Sequence, residues 1–415
     1  MTMIRPFSCY YANPEMARDV ACPAYDAMTP SQRHEFAVAN PNNYLNVMRS
    51  TDEFPEFERP PFDLNLQQNS AKLQELLRNG TYVENDAEGF YLYRLAVDGH
   101  VQTGIVLELP IEEFLNGGIK KHEHTRQDKE DALILYRDEV RASSTPITMT
   151  YPAIDTVDKI AERIAQQAPL IDFVSPDGLA QTLWFIGNDD DIAALQQAFD
   201  SVDALYLTDG HHRSAVCERW AQKRRDENSD HTGNEPYNYV MTAVFPDREN
   251  RILEYNRVVR GLNGLNVDEL LEKMKPFFEI EHLDITDSQQ AIPTEKYQFS
   301  MYLDEKWYRL SAYIDQVDVN DPVRSLDVCY LQDFVLGPLL GIDDPRQDPR
   351  IDYVPGAFGI AELKNRVDED WGVAFACFPT SIDELMKIAD AGEVMPPKST
   401  WFDPKVRSGL LVRLR

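Results

Sequence analysis

The chain is expected to fold as an α+β (mixed α/β) protein, and three observations point there. Strand-like and helix-like segments are interleaved from end to end, the pattern of that class. Hydrophobic residues make up 43% and charged residues 27%, the composition of a globular protein with a sizeable core. The 415 residues exceed what one ordinary core holds, so two domains are expected.

The first sixty residues are rich in Pro, Asn and Tyr. Residues 21–26 and 39–44 read as ordered turns, because the residue before a proline is driven out of the helical region. Between them Thr29 caps a predicted helix over 30–38, with Pro30 at its first position. Residues 70–78 read as a helix stopped by Gly80. Next comes a hairpin: strands 90–97 and 101–109 flank Asp98-Gly99, two residues that tolerate positive φ.

Residues 119–136 are charged and are expected to begin as a loop and turn helical near Asp128. Helices are predicted over 155–168, 190–200 and 214–225, and a short buried strand over 204–208. A strand over 237–246, a turn at 247–250 and a further strand to Val259 come next. Gly261-Leu262-Asn263-Gly264 predicts a boundary between domains 1–262 and 263–415. Beyond it Asn266 caps a helix starting at Val267. Residues 297–314 suggest a hairpin about Asp304-Glu305-Lys306, and 326–340 an apolar helix ended by Gly341. Ser381 and Glu384 form a capping box that opens a helix ended by Gly392.

Charge narrows the function. With 41 basic and 70 acidic residues the net charge is −29, which opposes duplex nucleic acid as a partner, since that binding needs Lys and Arg to neutralise phosphates. A small anion needs only a local cluster of donors, so it stays open. The five cysteines are widely spaced and match no zinc or redox motif; they are expected to be reduced thiols. No apolar leader or run of about 20 apolar residues is visible, so a cytoplasmic protein is expected, with no membrane partner.

Four of the eight histidines fall in two short segments. In the first, the strand 205–208 runs into Asp209-Gly210-His211-His212-Arg213-Ser214 and then into a helix. A helix's first amides have no internal acceptor, and its dipole is positive there. Gly210 lets backbone approach a ligand, Arg213 can fork onto phosphate oxygens, and two imidazoles add donors. Asp209 at the edge is a candidate ligand for Mg²⁺ or for a hydroxyl group. The plainer reading is a turn and cap with satisfied histidines.

The second segment, 117–131, holds Lys121, His122, Glu123, His124, Arg126 and Lys129. Glu123 beside basic groups is a candidate general base, and Lys121, Arg126 and Lys129 are candidate phosphate partners. A solvated charged loop is the alternative. His122 and His124 lack the i, i+4 spacing of the helical zinc-protease motif. A third segment, Met395 to Phe402, sets Lys398-Ser399-Thr400 among aromatics; without a preceding Gly-rich run it is no Walker loop, and binding and structural readings stay level.

These pieces resemble, over nearly the full length, a bacterial family known as a domain of unknown function (number ten-fifteen). The resemblance rests on Ile4-Arg5-Pro6-Phe7, Pro23-Ala24-Tyr25-Asp26, Gln102-Thr103-Gly104, Lys121-His122-Glu123-His124-Thr125, Asp209 to Ala215, Tyr255-Asn256-Arg257-Val258-Val259 and Pro396 to Phe402. Pro23-Ala24 departs from the family's usual Pro-Pro.

The Asp209–Arg213 turn before a helix is also similar to the nucleotide-phosphate motif of the ParB/sulfiredoxin superfamily. That resemblance implies a ParB/sulfiredoxin-like N-terminal region, with a smaller α+β C-terminal domain. Sulfiredoxin chemistry needs a cysteine where this chain has His211, and no basic recognition helix of the partition proteins is visible. The superfamily's free-serine kinases supply the remaining parallel.

On that parallel the chain is a nucleotide-dependent phosphotransferase acting on a small hydroxylated amino acid. The resemblance implies a free L-serine kinase using ATP or ADP with Mg²⁺, in a reaction that can run either way. Glu123 takes the base role, Asp209 orients the acceptor hydroxyl or Mg²⁺, and His211, His212 and Arg213 stabilise the transferred group. Gly210 and Ser214 complete the phosphate seat, with Lys121 and Lys398 assisting. The alternative is a nucleotide-binding regulator without a small-molecule acceptor; a homodimer is left open.

Overall fold

The structure is a computed structural model that describes residues 2–25 and 28–415. Asp26, which closes the first predicted turn, lies outside the described residues. Two compact units are present. One comprises residues through 120 together with 124–250 and 404–415, and the other residues 121–123 and 251–403. Both mix helices with strands, so the protein is α+β.

The first unit is built on a mixed sheet. Among the described residues its strands run in the order Ile119–Lys120, Leu205–Asp209, Ile147–Tyr151, Tyr239–Pro246, His100–Pro110, Tyr82–Val97, Phe7–Ala12, Leu411–Leu414 and Ala142–Ser143. Ala180–Ile186 and Ile171–Val174 branch from Tyr82–Val97. Asp98 and Gly99 both have positive φ, 51° and 77°, so the predicted two-residue turn closes the central hairpin. Phe90, Tyr91, Leu92 and Tyr93 are all buried because both faces of the sheet are covered. Tyr91 and Tyr93 join Phe7 and Phe245 on one face. Phe90 and Leu92 join Val157, Ile160 and Phe199 on the other, under helices Asp155–Ile164 and Asp189–Phe199.

The second unit holds an antiparallel six-stranded sheet, in the order Phe278–Leu283, Lys306–Ala312, Gln298–Leu303, Val373–Ala376, Tyr255–Val259 and Ile351–Pro355. Asp304 and Glu305, at φ 51° and 59°, make its predicted hairpin turn. Helices Val267–Met274 and Ile382–Asp390 open with reciprocal capping boxes, Asn266 with Glu269 and Ser381 with Glu384, each satisfying two end donors. All five cysteines are free thiols, four buried and Cys329 half-buried. Among the described residues no helix is long and apolar enough to cross a membrane.

Three predicted helices differ in extent. The one expected over 70–78 begins at Phe62 and buries Asn65, Leu66 and Asn69 in its extra turns. The one expected to reach 168 ends at Ile164, because the chain turns so that the Leu170 amide can bond the Leu183 carbonyl at 2.7 Å. The long apolar helix over 326–340 is interrupted. A short helix Asp327–Leu331 passes into a wide turn Gln332–Leu336, where the Gly337 amide reaches back five residues to the Gln332 carbonyl at 3.0 Å. The Gln332 side-chain amide donates to the Ile342 carbonyl at 2.7 Å and fixes that widening.

A buried carboxyl in the second unit has a measurable consequence. Asp327 is 7% exposed and accepts the amide of Tyr297 at 2.7 Å, holding that residue at φ 65°. Burial pushes its pKa from 3.8 up to about 7, against the opposing effects of the Tyr297 amide and Lys296. The folded state therefore binds this proton more tightly than the unfolded chain. The stabilisation is full below the unfolded pKa and is lost as pH rises through the folded one. Asp327→Asn keeps an acceptor oxygen without the charge. In urea unfolding, wild-type stability relative to this variant is expected to fall between pH ~4 and pH ~7 and then level off. A difference that does not move with pH contradicts the account.

Candidate anion-binding site

The site is set up by a slip in the sheet. Leu205–Asp209 pairs antiparallel with Ile147–Tyr151, Met149 facing Leu207 but Thr148 facing Asp209, so Thr208 is an extra residue on its strand. Such a bulge bends the strand and re-aims the residues after it. The Thr148 hydroxyl donates to the Asp209 carbonyl at 3.3 Å and fastens the bend. Gly210 then turns the chain at φ 105°, ψ 31°, and the helix His211–Glu227 starts at the next residue. Its first internal hydrogen bond runs from the Ser214 amide to the Gly210 carbonyl at 2.8 Å.

This corrects the predicted start at Ser214. His211, His212 and Arg213 are the first turn of the helix rather than a loop before it, because one left-handed glycine suffices to turn the chain. The amides at 211–213 therefore point along the axis out of the helix's positive end.

Asp209 stands between two cations. Its Oδ2 lies 2.9 Å from Arg213 Nη2 and its Oδ1 lies 3.2 Å from Lys405 Nζ. Burial pushes the carboxyl pKa up, but the charges of Lys405 and Arg213 and their hydrogen bonds outweigh this and hold it well below the usual range. The side chain is about a third exposed, so the cluster faces solvent on one side. The Arg213 guanidinium lies over Gly210, where a Cβ would fall 2.9 Å from Nη2.

The other predicted residues of this segment divide. His211 is buried, and His212 is half-buried with its Nε2 accepting the Arg126 amide at 3.2 Å. Ser214 is buried, its hydroxyl donating to Glu218 at 3.0 Å and its amide engaged in the helix, so both its polar groups are used internally.

Part of the second segment packs onto this helix. Gln127–Val140 lies along His211–Glu227. Arg219 bridges Glu130 at 2.8 Å and Asp131 at 2.6 Å, and Asp138 accepts from Trp220 at 2.7 Å and Lys223 at 2.5 Å. Arg126 pairs with Asp128, and the side chain of Lys129 lies outside the described residues.

Lys121 and Glu123, both half-buried, belong to the second unit, as does Lys398. There the carbonyl of His122 accepts the Met395 amide at 2.9 Å, so the 121–123 run is fastened beside the Pro396–Phe402 segment. Lys398 is exposed at φ 56°, its ammonium 5.2 Å from the centre of the Tyr255 ring. Its carbonyl accepts Arg257 Nη2 at 3.2 Å. Arg257 is 4% exposed.

Sequence reasoning missed Lys405. The signal available was its place directly after Asp403-Pro404, at the end of the aromatic segment. Mg²⁺ fits the described donors poorly. Among the described residues no group of three or more His, Cys, Asp or Glu is placed to hold a metal, and each Asp209 oxygen already faces a cation. The cluster is a half-buried ion pair of one carboxylate with two cations, next to the start of a helix.

Gly210 is the backbone constraint here. Gly210→Ala is expected to cost about 1–3 kcal/mol in urea unfolding, because φ 105° is strained for a residue with a Cβ. An unchanged midpoint contradicts the assigned turn.

Among solved structures the chain is similar to a conserved hypothetical protein from Pyrococcus furiosus, at 13% identity and TM-score 0.33, covering 74% of this chain and 95% of that one. It is similar to a mutant free serine kinase in complex with ADP, at 13% identity and TM-score 0.34, covering 74% and 92%. SbnI with a C-terminal truncation, from Staphylococcus aureus, matches at 11% identity and TM-score 0.35, covering 74% and 87%. No curated protein matches the chain. The family model described as "Protein of unknown function (DUF1015)" matches residues 4–329, most of the chain, which therefore belongs to that family.

Proposed function

We propose that the protein is a nucleotide-dependent phosphotransferase whose acceptor is a small hydroxylated amino acid, L-serine in the first instance. The observation that carries this reading is the pairing of Arg213 and Lys405 on Asp209 directly before the start of a helix. Phosphoryl transfer asks mainly for positioning and for neutralisation of charge on the phosphoryl oxygens, and such a cluster supplies both. The resemblance of Asp209–Arg213 to a nucleotide-phosphate motif supports the same assignment.

The roles follow from the chemistry of each group. The amides of Gly210, His211 and His212 and the guanidinium of Arg213 hold phosphate oxygens of ATP or ADP. Asp209 orients the acceptor hydroxyl, and Glu123 takes its proton as general base. His212, whose Nε2 accepts the Arg126 amide, helps to stabilise the transferred group. Lys121 and Lys398 add positive charge. Mg²⁺, when bound to the nucleotide phosphates, lowers their charge; its ligands then come mostly from the nucleotide and water.

The test is a direct assay. Purified protein, Mg²⁺ and ATP or ADP are incubated with each free amino acid, and phosphorylated product is read by mass spectrometry. O-phosphoserine is expected, and its loss in Asp209→Ala. Clear nucleotide binding without product from any acceptor contradicts the enzyme reading and favours a nucleotide-binding regulator. Glu123→Gln is expected to lower turnover about 100-fold or more while nucleotide affinity stays within about twofold. Full activity in that variant removes Glu123 from the base role.

A further inference from the structure

The first unit also holds a cavity of about 360 Å³ that none of the candidate site residues lines. We propose that this cavity binds a small organic anion that also carries a neutral O–H or N–H donor. The assignment is independent of the proposed phosphotransferase function.

The lining points to an anion. Arg49 and Lys72 line the cavity, and among the described residues no Asp or Glu does, in a chain with 70 acidic residues. Cavities that hold small molecules start at about 300 Å³ and set a few placed polar groups against apolar walls. Here Val38, Pro41 and Phe54 supply the apolar wall.

Arg49 is built into place and is only 8% exposed. Its carbonyl accepts the side-chain amides of Asn65 at 2.7 Å and Asn69 at 2.9 Å, which lie one turn apart on the helix Phe62–Arg78. Its Nε donates to Glu53 Oε2 at 2.6 Å, and its Nη2 donates to His34 Nδ1 at 2.9 Å. Its guanidinium lies over the Phe54 ring, 4.3 Å from the centre. Glu53 is buried too and is shared with Arg33, whose Nε lies 3.1 Å from Oε1. A guanidinium has five N–H donors. Among the described residues Nη1 of Arg49 has no acceptor, and Nη2 keeps one hydrogen beyond the bond to His34. Those donors suit two oxygens of a carboxylate or a phosphate.

Asn65 adds the second requirement. It lines the cavity and is buried, its Nδ2 is spent on the Arg49 carbonyl, and its Oδ1 has no donor among the described residues. A bare inorganic anion leaves that oxygen unsatisfied. A ligand that sets its anionic group on Arg49 and turns a hydroxyl or amide hydrogen to Asn65 satisfies both. Lys72, paired with Glu75 at 2.7 Å, is the second cation of the wall.

Carboxylate and phosphate heads both suit Arg49, so the experiment uses one probe of each kind. Isotope-labelled full chain is titrated by NMR with 3-phenyllactate, with AMP and with inorganic phosphate, following the side-chain signals of Arg49, Asn65 and Asn69. The variants are Val38→Glu, Val38→Lys and Arg49→Met. Val38 lines the cavity but is 66% exposed, so its charge can be changed without touching the core. In wild type, 3-phenyllactate or AMP is expected to move the three side-chain signals saturably, and to bind more tightly than inorganic phosphate. Val38→Glu is expected to weaken binding about two- to fourfold and Val38→Lys to tighten it by a similar factor. Arg49→Met is expected to weaken it about tenfold or more. Binding by 3-phenyllactate alone supports a carboxylate ligand, and by AMP alone a phosphate ligand. If neither probe moves these signals, or if AMP moves only the Gly210–Arg213 amides, with 3-phenyllactate silent, the cavity is not an anion site. Val38→Glu and Val38→Lys shifting affinity in the same direction, or not at all, overturns it as well. Should Arg49→Met fail to fold, the two Val38 variants still decide by sign. Inorganic phosphate binding as tightly as the better probe overturns the requirement for a donor.

Discussion

The first unit's candidate chemistry depends on one backbone constraint, the reversal from strand to helix at Gly210. A bulge at Thr208 bends the strand, and a single residue at φ 105° completes the turn. Because the reversal is so short, Asp209 stays at the strand's end while Arg213 sits one helical turn further on, close enough for an i, i+4 ion pair. Any residue with a Cβ at 210 meets both a strained dihedral angle and the Arg213 guanidinium. Local geometry thus sets the start of the helix and Arg213 beside Asp209.

That geometry is supported from a distance. Lys405 follows Phe402 by three positions but belongs to the first unit, where the strand Leu411–Leu414 pairs with Phe7–Ala12. Gln102, on a central strand, fixes the backbone at Pro404. The helix Gln127–Val140 braces the site helix through Arg219, Trp220 and Lys223. Glu130 illustrates the electrostatics of that brace: the Thr125 hydrogen bond and Arg219 hold its carboxyl below the usual range despite burial. Arg213 and Lys405 meet on the same carboxylate, that of Asp209.

Local signals were the legible ones. Asp98-Gly99 and Asp304-Glu305 fixed hairpins through positive φ, and Thr29, Asn266 and Ser381 opened helices with capping boxes, because these depend on neighbours in sequence. Asp209-Gly210 was legible as a turn before a helix for the same reason. The bulge at Thr208 was not, since it depends on the register with Met149, some sixty residues away. Lys405 was hidden because strand pairing near the C-terminus, not any local motif, brings it to Asp209. Ser214 looked like a phosphate donor by position, but Glu218 one turn on takes its hydroxyl. The wide turn at Gln332–Leu336 escaped because a uniformly apolar run carries no sign of where one side-chain amide will capture a carbonyl.

The claim on which the rest stands is that the Gly210–Arg213 amides form the seat of an anionic ligand. Amide-resolved NMR of isotope-labelled protein titrated with ADP tests it most directly. The account predicts that the Gly210, His211, His212 and Arg213 amide signals move the most, downfield as they take hydrogen bonds to phosphate oxygens. Signals from these four amides that stay in place while others shift would put the ligand elsewhere and contradict it.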